Sequence, residues 1–160
     1  MSIPSKTERW PPLDFGTRMI RVFAWLAKAK FTHGALVIVR SSTGELLLVQ
    51  ERLRERGSWG LPGGFMRIRE TPRQAAAREL REEVGLHVAD ADLEAVDQYH
   101  QPWARHYDHL FTLAAEPAHA KGGASMELRG QGWFTPNRLP PLTRAAAYAL
   151  RRSELAGLVD

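Results

Sequence analysis

The chain has 160 residues, 44% hydrophobic and 25% charged, with a net charge of +4, which suits one globular domain with its own core. It contains no cysteine; disulfides, thiolate metal sites and thiol nucleophiles are excluded, and a reducing, cytoplasmic location is the expectation. No stretch is apolar over the roughly 18 residues a membrane span needs, the first dozen residues hold no signal-peptide core, and the basic balance favours anionic partners.

Residues 1–30 read as an N-terminal extension and 31–160 as the main domain. Pro4, Pro11 and Pro12 make the start a loose leader. Asp14 can cap a helix running to about Lys30, because Phe15, Met19, Val22, Phe23 and Leu26 recur at helical spacing. Such an amphipathic helix packs on the domain, with a homodimer contact or a membrane-surface role as alternatives. Residues 35–40 are rich in β-branched side chains and, after the turn Ser41-Ser42-Thr43-Gly44, pair with 45–50 as a hairpin. A charged loop leads to the rigid turn Leu61-Pro62-Gly63-Gly64, and 65–68 reads as a short strand. Thr71 and Pro72 open a helix to Val84 with Ala75, Ala76, Leu80 and Val84 as its buried stripe, and Gly85 stops it. Further strands are expected over 93–101, 109–115 and 132–135, and a closing helix over 142–155. Strands and helices in irregular order give an α+β or mixed α/β class.

The chemistry concentrates after the glycine turn. Gly64 is followed by five residues and Glu70, seven residues and Arg78-Glu79-Leu80, one residue and Glu82-Glu83, one residue and Gly85-Leu86. Glu79, Glu82 and Glu83 stand at i, i+3 and i+4, so three carboxylates share one helix face. Like charges crowded in this way destabilise a helix unless a cation neutralises them, and magnesium, a hard ion shared between carboxylates and phosphates, is the natural one. Arg78, four residues before Glu82, can hold it in place, and Glu70 can in turn bind Arg78.

This spacing is the complete Nudix signature, and the chain resembles the Nudix hydrolases most densely over 59–86 and more loosely over 31–155. The resemblance implies an α/β/α sandwich with a mixed β-sheet between helices. It implies hydrolysis of a nucleoside diphosphate linked to another group, with magnesium or manganese. Carried onto this chain, Glu79, Glu82 and Glu83 become metal ligands together with the Gly63 carbonyl, and Arg78 and Glu70 orient them. Glu127 is the candidate for an additional acidic ligand outside the signature, with Asp108 and Glu116 as weaker ones. Glu82 or Glu127 would accept the proton of the attacking water. Two positions depart from many relatives: Arg67 lies in a stretch where those often carry an acid, and Arg69 stands where they have glycine. Both arginines read as solvated loop cations.

Specificity is expected outside the signature, around Tyr99-His100-Gln101-Pro102-Trp103. Pro102 falls 16 residues beyond Leu86, a spacing that resembles the ADP-ribose-cleaving branch. Gln101-Pro102-Trp103 echoes part of the NADH-cleaving motif, whose further aromatic and proline are absent at Ala104-Arg105-His106. Tyr99, Trp103 and Tyr107 are candidates to stack a base and Arg105 to bind phosphate, so the substrate set is Tyr99, Pro102, Trp103 and Arg105. Trp59 reads as structural. Thr143 occupies a place where the branch acting on oxidised purine triphosphates has asparagine, which lowers that reading. The six histidines form no zinc pattern. The expected substrate is a small nucleoside diphosphate derivative, ADP-ribose or a nucleotide sugar first. Nucleoside triphosphates, oxidised ones included, come second. The basic charge permits an RNA 5′ end, although no RNA-binding module is present. A non-catalytic nucleotide sensor is the rival class; retention of every acidic position argues against it.

Overall fold

The structure, a computed structural model, describes residues 31–52, 57–123 and 126–153. The helix expected over 14–30 lies outside the described residues. The strands are β1 (Thr32–Arg40), β2 (Leu46–Glu51), β3 (Gly63–Phe65), β4 (Glu94–His100), β5 (His106–Ala114) and β6 (Leu128–Phe134), and the helices are α1 (Pro72–Glu79) and α2 (Arg144–Arg151). They form one mixed sheet in the order β4-β5-β1-β2-β6, with β3 paired to β1 off that path. Among the pairings of these named strands in the described residues, β1–β5 alone is parallel.

Strand alternation assigns the two faces. Ala35, Val37 and Val39 of β1, Leu47 and Val49 of β2, and Phe111 and Leu113 of β5 pack against Ala75, Ala76, Leu80 and Val84 beneath α1. On the other face, Ile38, Leu46, Leu48 and Leu110 pack against Ala146, Ala149 and Leu150 of α2. The result is the expected α+β sandwich, with a helix on each side of the sheet.

One edge of β1 is divided. Its first half pairs with β3, through Gly34↔Phe65, Ala35↔Gly64 and Leu36↔Gly63, and its last residue pairs with β2, through Arg40↔Leu46. The sheet therefore parts between β1 and β2, and the glycine turn enters the gap. This register also moves β3 earlier than the expected 65–68, because Gly63 and Gly64 themselves join the ladder. The strands β5 and β6 likewise begin earlier than expected, at His106 and Leu128, and α2 is shorter, ending at Arg151.

Thr71 caps α1 through a reciprocal pair of hydrogen bonds. Its hydroxyl accepts from Gln74 N–H at 3.3 Å, and its own N–H donates to Gln74 Oε1 at 3.0 Å. The helix departs from expectation at its other end, where Leu80–Val84 widens into a π-turn and Gly85 N–H bonds to the Leu80 carbonyl. The released carbonyls of Glu83 and Val84 are taken by the N–H groups of Gly123 and Gly122, at 3.0 and 3.2 Å. The wider turn separates two neighbouring acids: Glu83 is buried, whereas the Glu82 side chain is 38% exposed.

Thr71→Ala is expected to lower unfolding stability by roughly 0.5–2 kcal/mol in urea titration. An unchanged midpoint would contradict the capping role.

Candidate active site

Arg78, in the last turn of α1, is buried and organises the signature carboxylates. Its Nε donates to Glu70 Oε1 at 2.7 Å and its Nη2 to Glu70 Oε2 at 3.0 Å, a two-pronged grip on the acid before the helix. Nη2 also donates to the Phe65 carbonyl at 3.0 Å, tying the helix to β3. Nη1 reaches Glu79 Oε1 at 2.6 Å and Glu82 Oε2 at 3.3 Å. One planar cation thus holds three carboxylates and a carbonyl. The hydrogen bond from Arg78 keeps the Glu70 carboxyl below the usual carboxylate range. Burial pushes Glu79 upward in spite of its contact with Arg78.

The glycine turn abuts this cluster. A Cβ on Gly64 would stand 2.5 Å from Glu79 Oε1, so a side chain there would displace the carboxylate. Gly63 N–H donates to Glu83 Oε2 at 2.9 Å. Burial pushes the Glu83 carboxyl up to about 8, and repulsion from Glu79, Glu51 and Glu127 adds to the effect. Glu83 is thus a buried acid ringed by other acids, while the guanidinium of Arg78 is committed to Glu70, Glu79 and Glu82.

These groups line a cleft of about 600 Å³ that contains Glu51, Glu79, Glu82, Glu83, Glu127 and Arg67. Their oxygen donors suit a hard divalent cation, and crowding of the acids with burial of Glu83 gives the site an electrostatic need for one. Among the described residues, no three acidic or imidazole side chains converge closely enough to form a finished ligand set. The signature acids are turned to protein donors instead: Glu79 to Arg78, Glu82 to Arg78 and Arg67, and Glu83 to Gly63.

Arg67 is exposed, as expected of a solvated cation, and also makes a surface ion pair. Its Nη2 lies 3.3 Å from Glu82 Oε2, although its side chain remains 64% exposed. Arg69 has a φ of 68°, in the left-handed region that favours glycine. That conformation accounts for the glycine at this position in the family pattern.

A larger cleft of about 830 Å³ shares Glu51, Gly63, Gly64 and Phe65 with the acidic one. Trp103, Arg105, Arg144 and Thr143 lie along it. The Arg144 guanidinium sits 5.4 Å from the Trp103 ring centre, and Trp103 meets Tyr148 edge-on at 5.2 Å. Trp59 packs edge-on against Phe134 at 4.8 Å, in the structural place expected of it.

Two expected substrate residues do not reach the cleft. Tyr99 points to the α2 core, 5% exposed and edge-on to Tyr148 at 5.2 Å, because alternation along β4 puts it on the inward face. Pro102 is exposed and does not line either cleft. Tyr107 stacks on His33 at 5.6 Å, on the sheet face away from Asp108. The weaker metal candidates also lie elsewhere: Asp108 is buried on the wall of the larger cleft, and Glu116 accepts from Ser42 N–H at 3.0 Å.

Glu51 was missed in the sequence. Leu47, Val49 and Glu51 alternate along β2, so carrying that period to the strand end would have placed Glu51 on the face of Glu79 and Glu83. Gln101 and His106, which line the larger cleft with Asp108, lacked any motif to mark their partnership.

Replacing Arg69 with glycine is expected to stabilise the protein by roughly 0.5–1 kcal/mol, by relieving the left-handed backbone; a lower melting temperature would contradict this. Glu83 generates a pH prediction. Its folded value is raised to about 8, so a cation binding at Glu83 would have to displace a proton from it. Magnesium affinity should therefore rise between pH 6.5 and 8.5, by up to about tenfold per pH unit below the Glu83 midpoint. Calorimetry in buffers of different ionisation enthalpy reads the proton release, and Glu83→Gln should flatten the profile. A profile unchanged by that substitution would contradict the assignment.

The chain is similar to known proteins over much of its length. The model of the NUDIX domain matches residues 30–153. Human 8-oxo-dGDP phosphatase NUDT18 is 36% identical over 118 residues, which cover 69% of this chain and 34% of that protein. A Bacillus subtilis (strain 168) protein named as a candidate 8-oxo-dGTP diphosphatase is 35% identical over 113 residues, covering 69% of this chain and 70% of its own. YjhB of the same organism, named as a candidate ADP-ribose pyrophosphatase, is 34% identical, covering 62% of this chain and 48% of its own. Thus the chain spans less than half the length of two of these three relatives. Among solved structures, a MutT NUDIX hydrolase from Burkholderia pseudomallei superposes with a TM-score of 0.65 at 26% identity, covering 76% of this chain and 96% of that one. The signature, its Arg78-centred cluster and these likenesses converge: the chain belongs to the Nudix hydrolase family.

Proposed function

We propose that this protein is a metal-dependent hydrolase that cleaves the diphosphate linkage of a nucleoside diphosphate derivative. The observation that carries the reading is the buried Arg78 cluster, with its raised Glu83, opening onto a second cleft of nucleotide size. Magnesium or manganese, held by oxygens of Glu79, Glu82 and Glu83 with the Gly63 carbonyl and Glu127 in support, would supply the charge that neutralises the diphosphate and polarises phosphorus. The protein's own share is positional. Arg78 keeps Glu70, Glu79 and Glu82 in one frame, and the Gly63 N–H holds Glu83. Glu82, the most exposed of the signature acids, is placed to take the proton of an attacking water, with Glu127 as the alternative base. Water adds across one phosphorus–oxygen bond and the other phosphate leaves. Trp103 and Arg105 face the remainder of the substrate.

The order of substrates drawn from the sequence is reversed here. The ADP-ribose reading leaned on Pro102, which lies outside the cleft. Relatives at 36% and 35% identity carry names for activity on oxidised guanine nucleotides, so an 8-oxoguanine nucleoside di- or triphosphate is the first substrate to test. ADP-ribose is second, supported by the likeness to YjhB. Thr143 in place of asparagine weighs against the first choice, and its hydroxyl caps α2 by accepting from Ala146 N–H at 3.2 Å.

A panel of 8-oxo-dGDP, 8-oxo-dGTP, their unoxidised counterparts, ADP-ribose, nucleotide sugars, NADH and 5′-triphosphate RNA, scored by product chromatography with magnesium or manganese, tests the reading. One substrate should be cleaved well ahead of the rest. Glu82→Gln should lower its turnover by about 10²–10⁴-fold with the melting temperature preserved. Wild-type turnover in that variant at saturating magnesium would contradict the role of Glu82, and no turnover of any substrate would favour the sensor reading.

A further inference from the structure

The wall of the larger cleft contains a connected set of polar side chains that the reaction described above does not use. Asp108 is 2% exposed. Its Oδ2 accepts from Gln101 Nε2 at 2.6 Å, and its Oδ1 lies 3.0 Å from His106 Nε2. His106 Nδ1 lies 2.7 Å from Thr32 Oγ1. A carboxylate only accepts, so Nε2 of His106 carries a proton toward Asp108, and Nδ1 shares the second hydrogen bond with the Thr32 hydroxyl. The line Gln101–Asp108–His106–Thr32 is continuous, and it joins β1 to both ends of the loop between β4 and β5.

Backbone bonds close the same loop. Gln101 N–H donates to the His106 carbonyl at 2.9 Å, Ala104 N–H to the Gln101 carbonyl at 3.2 Å, and Thr32 N–H to the Arg105 carbonyl at 3.1 Å. Trp103 and Arg105, the two groups of this loop suited to an aromatic base and an anion, line the cleft. Space has been left for the network within a strand. Gly34 pairs with Asp108 in register, and a Cβ there would stand 2.7 Å from His106 Nε2 and 3.2 Å from Asp108 Oδ1. A glycine in mid-strand costs stability, and close approach of other groups is the usual reason for it.

We propose that Asp108 is a positioning residue for substrate selection: through Gln101 and His106 it locks the loop over 102–105, so that Trp103 and Arg105 discriminate the base end of a nucleotide. The inference rests on the nucleotide reading above and goes beyond it by naming the element that sets base preference. Catalysis in the acidic cleft and selection in the larger one are then separate properties, joined at the glycine turn. A network serving stability alone would tie the same strands together without affecting which base is preferred.

The test is calorimetric titration of AMP, GMP, 8-oxo-dGMP, CMP and UMP into wild-type protein and four variants. Wild type should favour one base by at least about tenfold, and Asp108→Ala should reduce the preference below about threefold. Asp108→Asn should restore most of it, since the asparagine carbonyl accepts from His106 Nε2–H and its amide meets a flipped Gln101. Gly34→Ala should behave like Asp108→Ala, although it removes no hydrogen-bonding group. Gln101→Ala gives the same reading should Asp108→Ala fail to fold. Nitrogen-15 spectra should show a hydrogen-bonded His106 Nε2–H in wild type and displaced ring-nitrogen resonances in Asp108→Ala. Preserved base preference in Gly34→Ala and in whichever of Asp108→Ala and Gln101→Ala folds would overturn the proposal alone. Wild-type protein that binds none of the nucleotides would overturn it together with the nucleotide reading.

Discussion

The site depends on one buried guanidinium. Arg78 spends all three of its nitrogens on acceptors that come from different parts of the chain: Glu70 before the helix, Phe65 on β3, and Glu79 and Glu82 on the helix itself. Burying a cation is costly unless its donors are matched, and here the match fixes where the acids lie. A point charge on a flexible stem could not bridge these positions in one plane. Glu83 lies outside this set and is held by the Gly63 N–H instead, close to Glu79, Glu51 and Glu127. The crowding of these acids, with Glu83 buried among them, is the physical case for a divalent cation.

The fold supplies the frame for this arrangement. Dividing one edge of β1 between β2 and β3 opens the sheet at the point where the glycine turn enters. The turn then borders both clefts, presenting Gly63 N–H to Glu83 and allowing Glu79 to press against Gly64. The π-turn at 80–84 completes the division of labour by sinking Glu83 and leaving Glu82 accessible. Neither helix packing nor the signature acids alone would achieve this; it requires the external donors of Gly122 and Gly123 at the helix end.

Much of this was legible in the sequence, for identifiable reasons. Strong local signals held: the β-branched run of β1, the Thr71-Pro72 helix start, the stripe Ala75, Ala76, Leu80 and Val84, and the pairing of Arg78 with Glu70 and Glu82. Signals that depend on tertiary register did not. Gly63 and Gly64 read as turn residues, yet they pair with β1. Tyr99 and Trp103 looked equivalent as stacking aromatics, and only the inward or outward phase of β4 and its loop separates them. Asp108 was weighed as a metal ligand because acidity is visible in a sequence, whereas its hydrogen bonds to Gln101 and His106 are not. Arg69 is an instructive case: the departure from glycine was plain, but its left-handed backbone could be seen only in the fold.

A planar, two-pronged Arg78 organises the acids proposed to hold the cation. Replacing it with lysine keeps the charge and removes that geometry, so manganese titration followed by electron paramagnetic resonance, on wild type and Arg78→Lys of verified fold, addresses the claim most directly. The account predicts that Arg78→Lys weakens manganese binding by at least about tenfold, equivalent to roughly 1.4 kcal/mol. Equal manganese affinity in the two proteins would contradict it.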